Sequence, residues 1–271
     1  MTEAKQIICI KWGTKFGPEY VNRLHGMISR NITPPFRLVC FTDDGEGLHG
    51  DIVVRPLPRF DYEPPRNTIG KWPKSRLWGD LGDVTSTVLF LDLDVIVTGN
   101  LDDFFTFGDP DDTVLATNPA RIKPFEKLGQ TSVYRMRVGR LAPLQDIFRA
   151  DPQAVADEYR FEQRFVTRRA PGGVKFWPRG WVVHFRADGV PAFPMRYWQT
   201  PKVPEGAKIV IFAGSLNPPD AIVGRWSEDD TPRAPREHLR AAFDGTRRES
   251  LSRHLRHYVR PTPWVEKLWR D

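Results

Sequence analysis

The run Val88-Leu89-Phe90-Leu91-Asp92-Leu93-Asp94-Val95-Ile96-Val97 constrains this chain more than any other segment. Four consecutive apolar residues ahead of an acid are what a strand needs when both of its faces are covered. Two ionised carboxylates at the end of such a strand repel each other and lose hydration unless a cation compensates them. Residues two apart in a strand point to the same face. If the strand unravels after Leu91, both carboxylates converge on one ion at the carboxyl edge of the sheet, where open α/β sheets bind ligands. A few hard oxygen ligands with open positions suit Mn²⁺ or Mg²⁺ shared with the phosphates of a substrate. The plainer alternative is a pair of acids that only caps a turn.

The rest of the chain supplies the elements such a sheet requires. Gln6 to Lys11 is a short apolar run closed by Gly13. Pro18 then opens a helix with Tyr20, Val21, Leu24, Met27 and Ile28 on one face. It ends before Thr33-Pro34-Pro35. Arg37 to Thr42 and Ile52 to Val54 read as further strands, with Asp43-Asp44-Gly45 as a turn between them. The proline-rich stretch from Arg55 to Pro65 reads as a loop, and Pro73 starts a helix through Leu77 and Trp78 toward Leu81. Val114 to Ala116, Ser132 to Met136, Trp181 to Phe185 and Lys208 to Phe212 read as strands, and Pro152 to Phe165 as one helix. Arg236 to Phe243, Glu249 to Tyr258 and Pro263 to Trp269 read as three terminal helices. Strand–helix–strand alternation with apolar strands predicts an α/β fold with a mostly parallel sheet.

Composition narrows the class. The 271 residues are 40% hydrophobic, with a mean hydropathy of −0.46, which fits a globular chain able to bury a large core. No run approaches the ~20 apolar residues that span a bilayer. The start of the chain carries Thr2, Glu3 and Lys5 and lacks the long apolar core of a secretory signal, so the expected location is cytoplasmic. Cys9 and Cys40 sit in apolar strands and read as small buried hydrophobes. The net charge is +6 and unevenly spread: residues 233–271 hold ten Lys/Arg against five Asp/Glu. That tail is expected either to face an anionic membrane surface, at the inner face of the cell, or to be a solvated helical surface. No zinc-finger spacing, basic zipper or RNA-binding aromatic signature points to nucleic acid.

The segment Phe90 to Val97, followed by Gly99-Asn100-Leu101-Asp102-Asp103-Phe104-Phe105, resembles the GT-A glycosyltransferases, and among them bacterial enzymes related to glycosyltransferase family 8. Lys11-Trp12-Gly13 through Asn22 is similar to that family's first strand, loop and helix. Phe36 to Asp44 is similar to its second strand, Trp72-Pro73-Lys74 to the segment ahead of the acidic strand, and Tyr159, Glu162 and Gln163 to an acid–Gln pair. Pro261-Thr262-Pro263-Trp264 also looks familiar. The resemblance implies a GT-A fold, with helices on both faces of the sheet, in residues 1–224. It implies a basic helical extension in 225–271 packed on that domain. It further implies a nucleotide-diphospho-sugar donor, a glycan or lipid-linked acceptor, and Mn²⁺ or Mg²⁺ held by Asp92 and Asp94. Lys11, Trp12, Gly13, Asp43 and Asp44 would lie at the nucleotide, Lys74, Asp92 and Leu93 at the donor, and Glu162 or Gln163 at the reacting sugar, in a hexosyl transfer that retains anomeric configuration.

Each of these residues has a structural alternative. Lys11 and Lys74 fit solvated cations, Asp43 and Asp44 turn chemistry, and Glu162 helix support. Trp72, Trp177, Trp181 and Trp198 fit packing, although an exposed one would stack on a sugar ring. There is also a departure. Members usually carry a His after the late strand that completes the metal shell, whereas Ala213-Gly214 follows Ile209 to Phe212 here, and the usual basic-Pro segment reads Asn217-Pro218. Ser215, Asn217 or Asp220 would have to supply an oxygen, or water would; His184 is an outside candidate that fits a packed strand residue better. Two other functions stay open. One is a non-catalytic protein that binds a sugar nucleotide or glycan. The other is a haloacid dehalogenase-type phosphatase, since Leu91-Asp92-Leu93-Asp94 superficially matches that family's nucleophile motif, though Val95 stands where Gly is usual.

Overall fold

The computed structural model describes residues 4–59, 61–66, 72–119, 126–245 and 249–271. Thr2, Glu3 and the tail residues Arg247 and Arg248 lie outside them. The chain divides into two compact units: residues 1–93 with 100–179, and residues 94–99 with 180–271. The expected boundary at Gly224 falls inside the second unit.

The first unit is built on seven strands: β1 (Lys5–Lys11), β2 (Phe36–Thr42), β3 (Val53–Pro56), β4 (Thr87–Leu91), β6 (Val114–Thr117), β7 (Gly129–Arg137) and β8 (Lys175–Phe176). The segment 95–97 between β4 and β6 is strand β5 (Val95–Val97) of the second unit. The sheet runs β3-β2-β1-β4-β7-β6-β8. The β3-β2-β1-β4 half is parallel, and β7 is antiparallel to both β4 and β6. Alternation explains the apolar strands. Ile8, Ile10, Val39, Phe41, Val88 and Phe90 enter one core with Trp72, Trp78, Phe148 and Phe165. The intervening Ile7, Cys9, Leu38, Cys40 and Leu89 are just as buried, so both faces of the sheet are covered. Cys9 and Cys40 are partners in register, and both are free and buried, as read from their apolar surroundings.

Helix α1 (Pro18–Arg30) starts at its proline and buries Val21, Leu24, Met27 and Ile28, the predicted stripe. It stops where the Asn31 backbone amide bonds Ile28 O and the Asn31 side chain bonds Met27 O. The segment opened by Pro73 is a 3₁₀ turn, Trp72–Leu77, shorter than the helix the sequence suggested. Two helices follow the acidic strand without having been anticipated: α2 (Asp103–Thr106) and α3 (Ala142–Ala150). The single helix expected over 152–165 is two, α4 (Pro152–Tyr159) and α5 (Glu162–Arg169). Arg160, at φ 63°, breaks them in a left-handed conformation unusual for a side chain other than Gly. That break sets the direction of α5 and brings Glu162 to its first turn.

The second unit holds β5, β9 (Val182–His184) and β10 (Ile209–Ile211), in the order β5-β10-β9. Thus the apolar run from 88 to 97 is two strands belonging to different sheets. Expected strand 181–185 is shorter because Phe185–Gly189 forms a π-helical turn. Helices α6 (Pro218–Val223), α7 (Pro235–Ala241), α8 (Leu251–Arg256) and α9 (Pro263–Leu268) complete the unit. Gly224 ends α6 at φ 79°, and a Cβ there would stand 2.6 Å from Pro261, so only glycine fits. Among the described residues no helix is long and apolar enough to cross a membrane.

Candidate active site

At the carboxyl edge of β1 and β2 the loops interlock. The Gly13 amide donates to Asp43 Oδ2 at 2.9 Å, and buried Lys11 donates from Nζ to the Asp44 carbonyl at 3.0 Å. Asp44 Oδ1 accepts from the Glu46 amide, the local turn bond short acids favour. Trp12 packs on the core beneath. Lys11, Trp12, Gly13, Asp43 and Asp44 are therefore one structural group, with both carboxylates exposed to solvent. In it Asp44 serves the turn and Asp43 ties the two loops together.

A second group sits beyond β4. Since Ile8 faces Phe90 in register, Asp92 leaves the sheet level with the end of β1. Its amide donates to Ser132 O, continuing the ladder to β7 for one more residue. Lys74 Nζ donates to Asp92 Oδ2 at 2.7 Å and to the Thr131 carbonyl at 3.3 Å, and lies 5.2 Å from the centre of the Phe90 ring. Thr131 Oγ1 donates to Glu162 Oε2 at 2.6 Å. Glu162 is 3% exposed, and its Oε1 has no hydrogen-bond partner in the protein. Burial pushes the Glu162 carboxyl up to about 7; the Lys74 charge and the Thr131 bond oppose this, and the Asp92 charge adds to it. Tyr134, stacked on Phe90, has a buried hydroxyl without a partner, and burial raises it well above the ordinary tyrosine range.

The chemistry of this group is divided. Asp92 is a carboxylate paired with an ammonium, and Glu162 is an acid poised near neutrality with one oxygen uncommitted. Two carboxyls in environments that push their proton affinities apart are a common arrangement for acid–base or charge-stabilising work. Sequence reading located Lys74, Asp92 and Glu162; it missed Thr131 and Tyr134, which link and wall them. Neither carries a motif. Gln163, next to Glu162, is partly buried, and its carbonyl accepts from Thr167 Oγ1. Leu93 is buried.

In the second unit, Asp94 precedes β5. Its carbonyl accepts from the Phe212 amide at 3.1 Å, so Ala213 follows directly from the residue bonded to Asp94. His184, Ile211 and Val95 lie abreast across the three strands, and the His184 amide bonds Asp188. Asp220 is occupied elsewhere: Oδ2 accepts from the Asn217 amide and Oδ1 from Arg225 Nε at 2.6 Å, as a helix cap and a buried ion pair. Among the tryptophans, Trp72 stacks on Phe148 and Trp177 donates to Val133 O. Lys208 lies over Trp181. Trp198 is exposed.

Among the described residues no three His, Cys, Asp or Glu side chains gather as a metal cage. The chain's own donor set for a cation is the carboxylate pair Asp92 and Asp94, one oxygen of which already meets Lys74. Two hard carboxylates fit Mn²⁺ or Mg²⁺ when a substrate's phosphates supply the remaining ligands; they do not fit a closed structural site.

The fold is that of the GT-A glycosyltransferases. The chain superimposes on the galactosyltransferase LgtC in complex with donor and acceptor sugar analogs, with a TM-score of 0.54, 13% identity, and 97% of this chain and 100% of that one covered. The apo structure of WbbM, a bifunctional glycosyltransferase, matches at TM-score 0.57 and 12% identity, covering 80% of this chain and 47% of that one. The glycosyltransferase GlyE of Streptococcus pneumoniae TIGR4 matches at 0.55 and 11%, covering 98% and 65%. The chain thus spans about half of WbbM and two thirds of GlyE. No protein-family model matches the sequence, and no curated protein matches it.

Proposed function

We propose that this chain is a glycosyltransferase related to family 8, moving a hexose from a nucleotide-diphospho-sugar to a glycan or lipid-linked acceptor with retention of configuration. It would act in the cytoplasm, at or near the inner membrane face. The observation that carries this reading is the buried chain Lys74–Asp92–Thr131–Glu162 at the carboxyl edge of a fold held in common with glycosyltransferases. Lys11, Trp12, Gly13, Asp43 and Asp44 would receive the nucleotide. Asp92 and Asp94 would hold Mn²⁺ or Mg²⁺, which supplies positive charge against the diphosphate when bound. Lys74 adds a fixed ammonium beside Asp92, already oriented by two hydrogen bonds, so no reorganisation is needed as leaving-group charge develops. Glu162 and Gln163 would face the reacting sugar. Glu162 is suited to hold a proton near neutral pH or, ionised, to stabilise positive charge at the anomeric carbon.

The test is Asp94→Ala. Manganese-dependent donor binding and donor hydrolysis are expected to fall about tenfold or more, with the melting temperature within ~2 °C of the parent. Unchanged manganese-stimulated hydrolysis would overturn the assignment. A thermal-shift panel of sugar nucleotides with and without manganese identifies the donor. Ala213, immediately after the residue bonded to Asp94, favours a second reading: donor binding without turnover. Calorimetric binding of a sugar nucleotide with no hydrolysis or transfer across acceptors would select it.

A further inference from the structure

The second unit keeps large apolar side chains in solvent at one structural cluster. Phe193 is 48% exposed, Met195 44%, Trp198 66% and Phe243 76%. Isolated exposed apolar residues are ordinary; these are held by a common support. Tyr197, in the middle of the 193–198 segment, stacks on Tyr258 at 4.6 Å and 2°. Its hydroxyl reaches His238 Nδ1 on α7 at 3.0 Å and the Leu255 carbonyl on α8 at 3.1 Å. Arg196 donates to the Arg256 carbonyl, and Arg260 to the Tyr197 carbonyl. The turn is therefore bolted to α7 and α8, and its outward residues are presented rigidly. Phe243 follows Leu239, itself 38% exposed, by four residues, so both project from the same side of α7 and its continuation.

The charge around this aromatic cluster is of one dominant sign. Arg236 and Arg240 of α7 and Arg253 and Arg256 of α8 are exposed. The acids facing them are largely committed. Glu237 accepts from the Ala234 amide, and Glu249 pairs with both Arg253 and His257. Residues 233–271 carry five more Lys/Arg than Asp/Glu. Rigid aromatic and thioether side chains ringed by arginines match the interface of an anionic bilayer, where aromatic rings settle at the headgroup level and arginines meet lipid phosphates.

We propose that this face of the second unit, centred on Trp198 and Phe243, docks peripherally on an anionic lipid surface. The docking surface is independent of the donor chemistry, and its test does not use activity. The full chain is sedimented with vesicles of phosphatidylcholine alone and of phosphatidylcholine mixed with phosphatidylglycerol. Binding is expected only to the mixed vesicles, to weaken about tenfold or more between ~0.1 and ~0.5 M salt, and to fall by a similar factor in Trp198→Ala/Phe243→Ala. Arg236→Glu/Arg240→Glu, which leaves the aromatic cluster intact, is expected to abolish the preference for the anionic lipid. Equal binding to both vesicle types, or none to either, overturns the proposal. So does unaltered vesicle binding in the aromatic double variant. A dimer in solution that the same double variant dissociates would assign the face to a second copy of the chain instead and likewise overturns it.

Discussion

The two units depart from the usual partition of residues in opposite directions. In the first, charged and polar groups are inside: Lys74, Glu162 and the Tyr134 hydroxyl are buried around Asp92. In the second, aromatic groups are outside, at Trp198, Phe193 and Phe243. Each departure carries a cost that packing elsewhere offsets, since a buried polar atom without a partner costs about 1–3 kcal/mol and a solvated Trp forgoes its burial energy. The lesson of the contrast is that the first unit is strained toward chemistry, with groups held ready away from water. The second is arranged toward a surface, with groups held ready in water.

The sharpest way to break this comparison is to remove the cation from the first unit. Lys74→Met takes away the partner of Asp92, whose side chain is 18% exposed. Breaking a buried ion pair from one side costs about 3–5 kcal/mol, and the partial exposure of Asp92 favours the lower end. Denaturant unfolding is expected to lose about 3 kcal/mol, together with donor binding. A loss under ~1 kcal/mol would mean that water already serves Asp92, and the buried-chemistry description would fail.

Glu162 gives the next largest effect, and its sign is set by the direction of its shift. Its folded-state value is raised from 4.5 to about 7, so between those values the folded protein holds a proton the unfolded chain has released. Stability should therefore fall as pH rises from about 4.5 to 7 and level off above, by up to about 3 kcal/mol from this group. Glu162→Gln should remove that slope while keeping an oxygen for Thr131. Stability curves with the same slope in both proteins would show that Glu162 is not the buried proton carrier.

The smallest expected effect sharpens the comparison within the second unit. Ala213→His places an imidazole one residue beyond the amide bonded to Asp94 and should tighten manganese affinity about tenfold. Isothermal titration with manganese alone measures it, and an unchanged affinity would place residue 213 out of reach of the carboxylates.

Much of this was legible in the sequence because it depends on local pattern. The stripe on α1, the Pro18 start and the apolar strand ahead of Asp92 follow from side-chain periodicity, which the backbone imposes residue by residue. The choice of Lys74, Asp92 and Glu162 came from those patterns and from resemblance. Thr131 and Tyr134 had no such signal. They reach the site because β7 pairs antiparallel to β4, placing Tyr134 opposite Phe90, and that pairing joins residues more than forty positions apart.

By itself, then, the sequence determined that an apolar strand ends in two acids, that a basic tail follows, and that helices and strands alternate. Tertiary structure alone decided that the strand run splits after Leu91 between two sheets. It also decided that Arg160 turns α5 toward Lys74, that Asp220 caps a helix and pairs with Arg225, and that Trp198 faces water while Trp72 does not. The reason is physical: propensity and periodicity act over a few neighbouring residues, whereas burial and the proton affinity of a carboxyl depend on which distant groups the fold brings within a few ångströms.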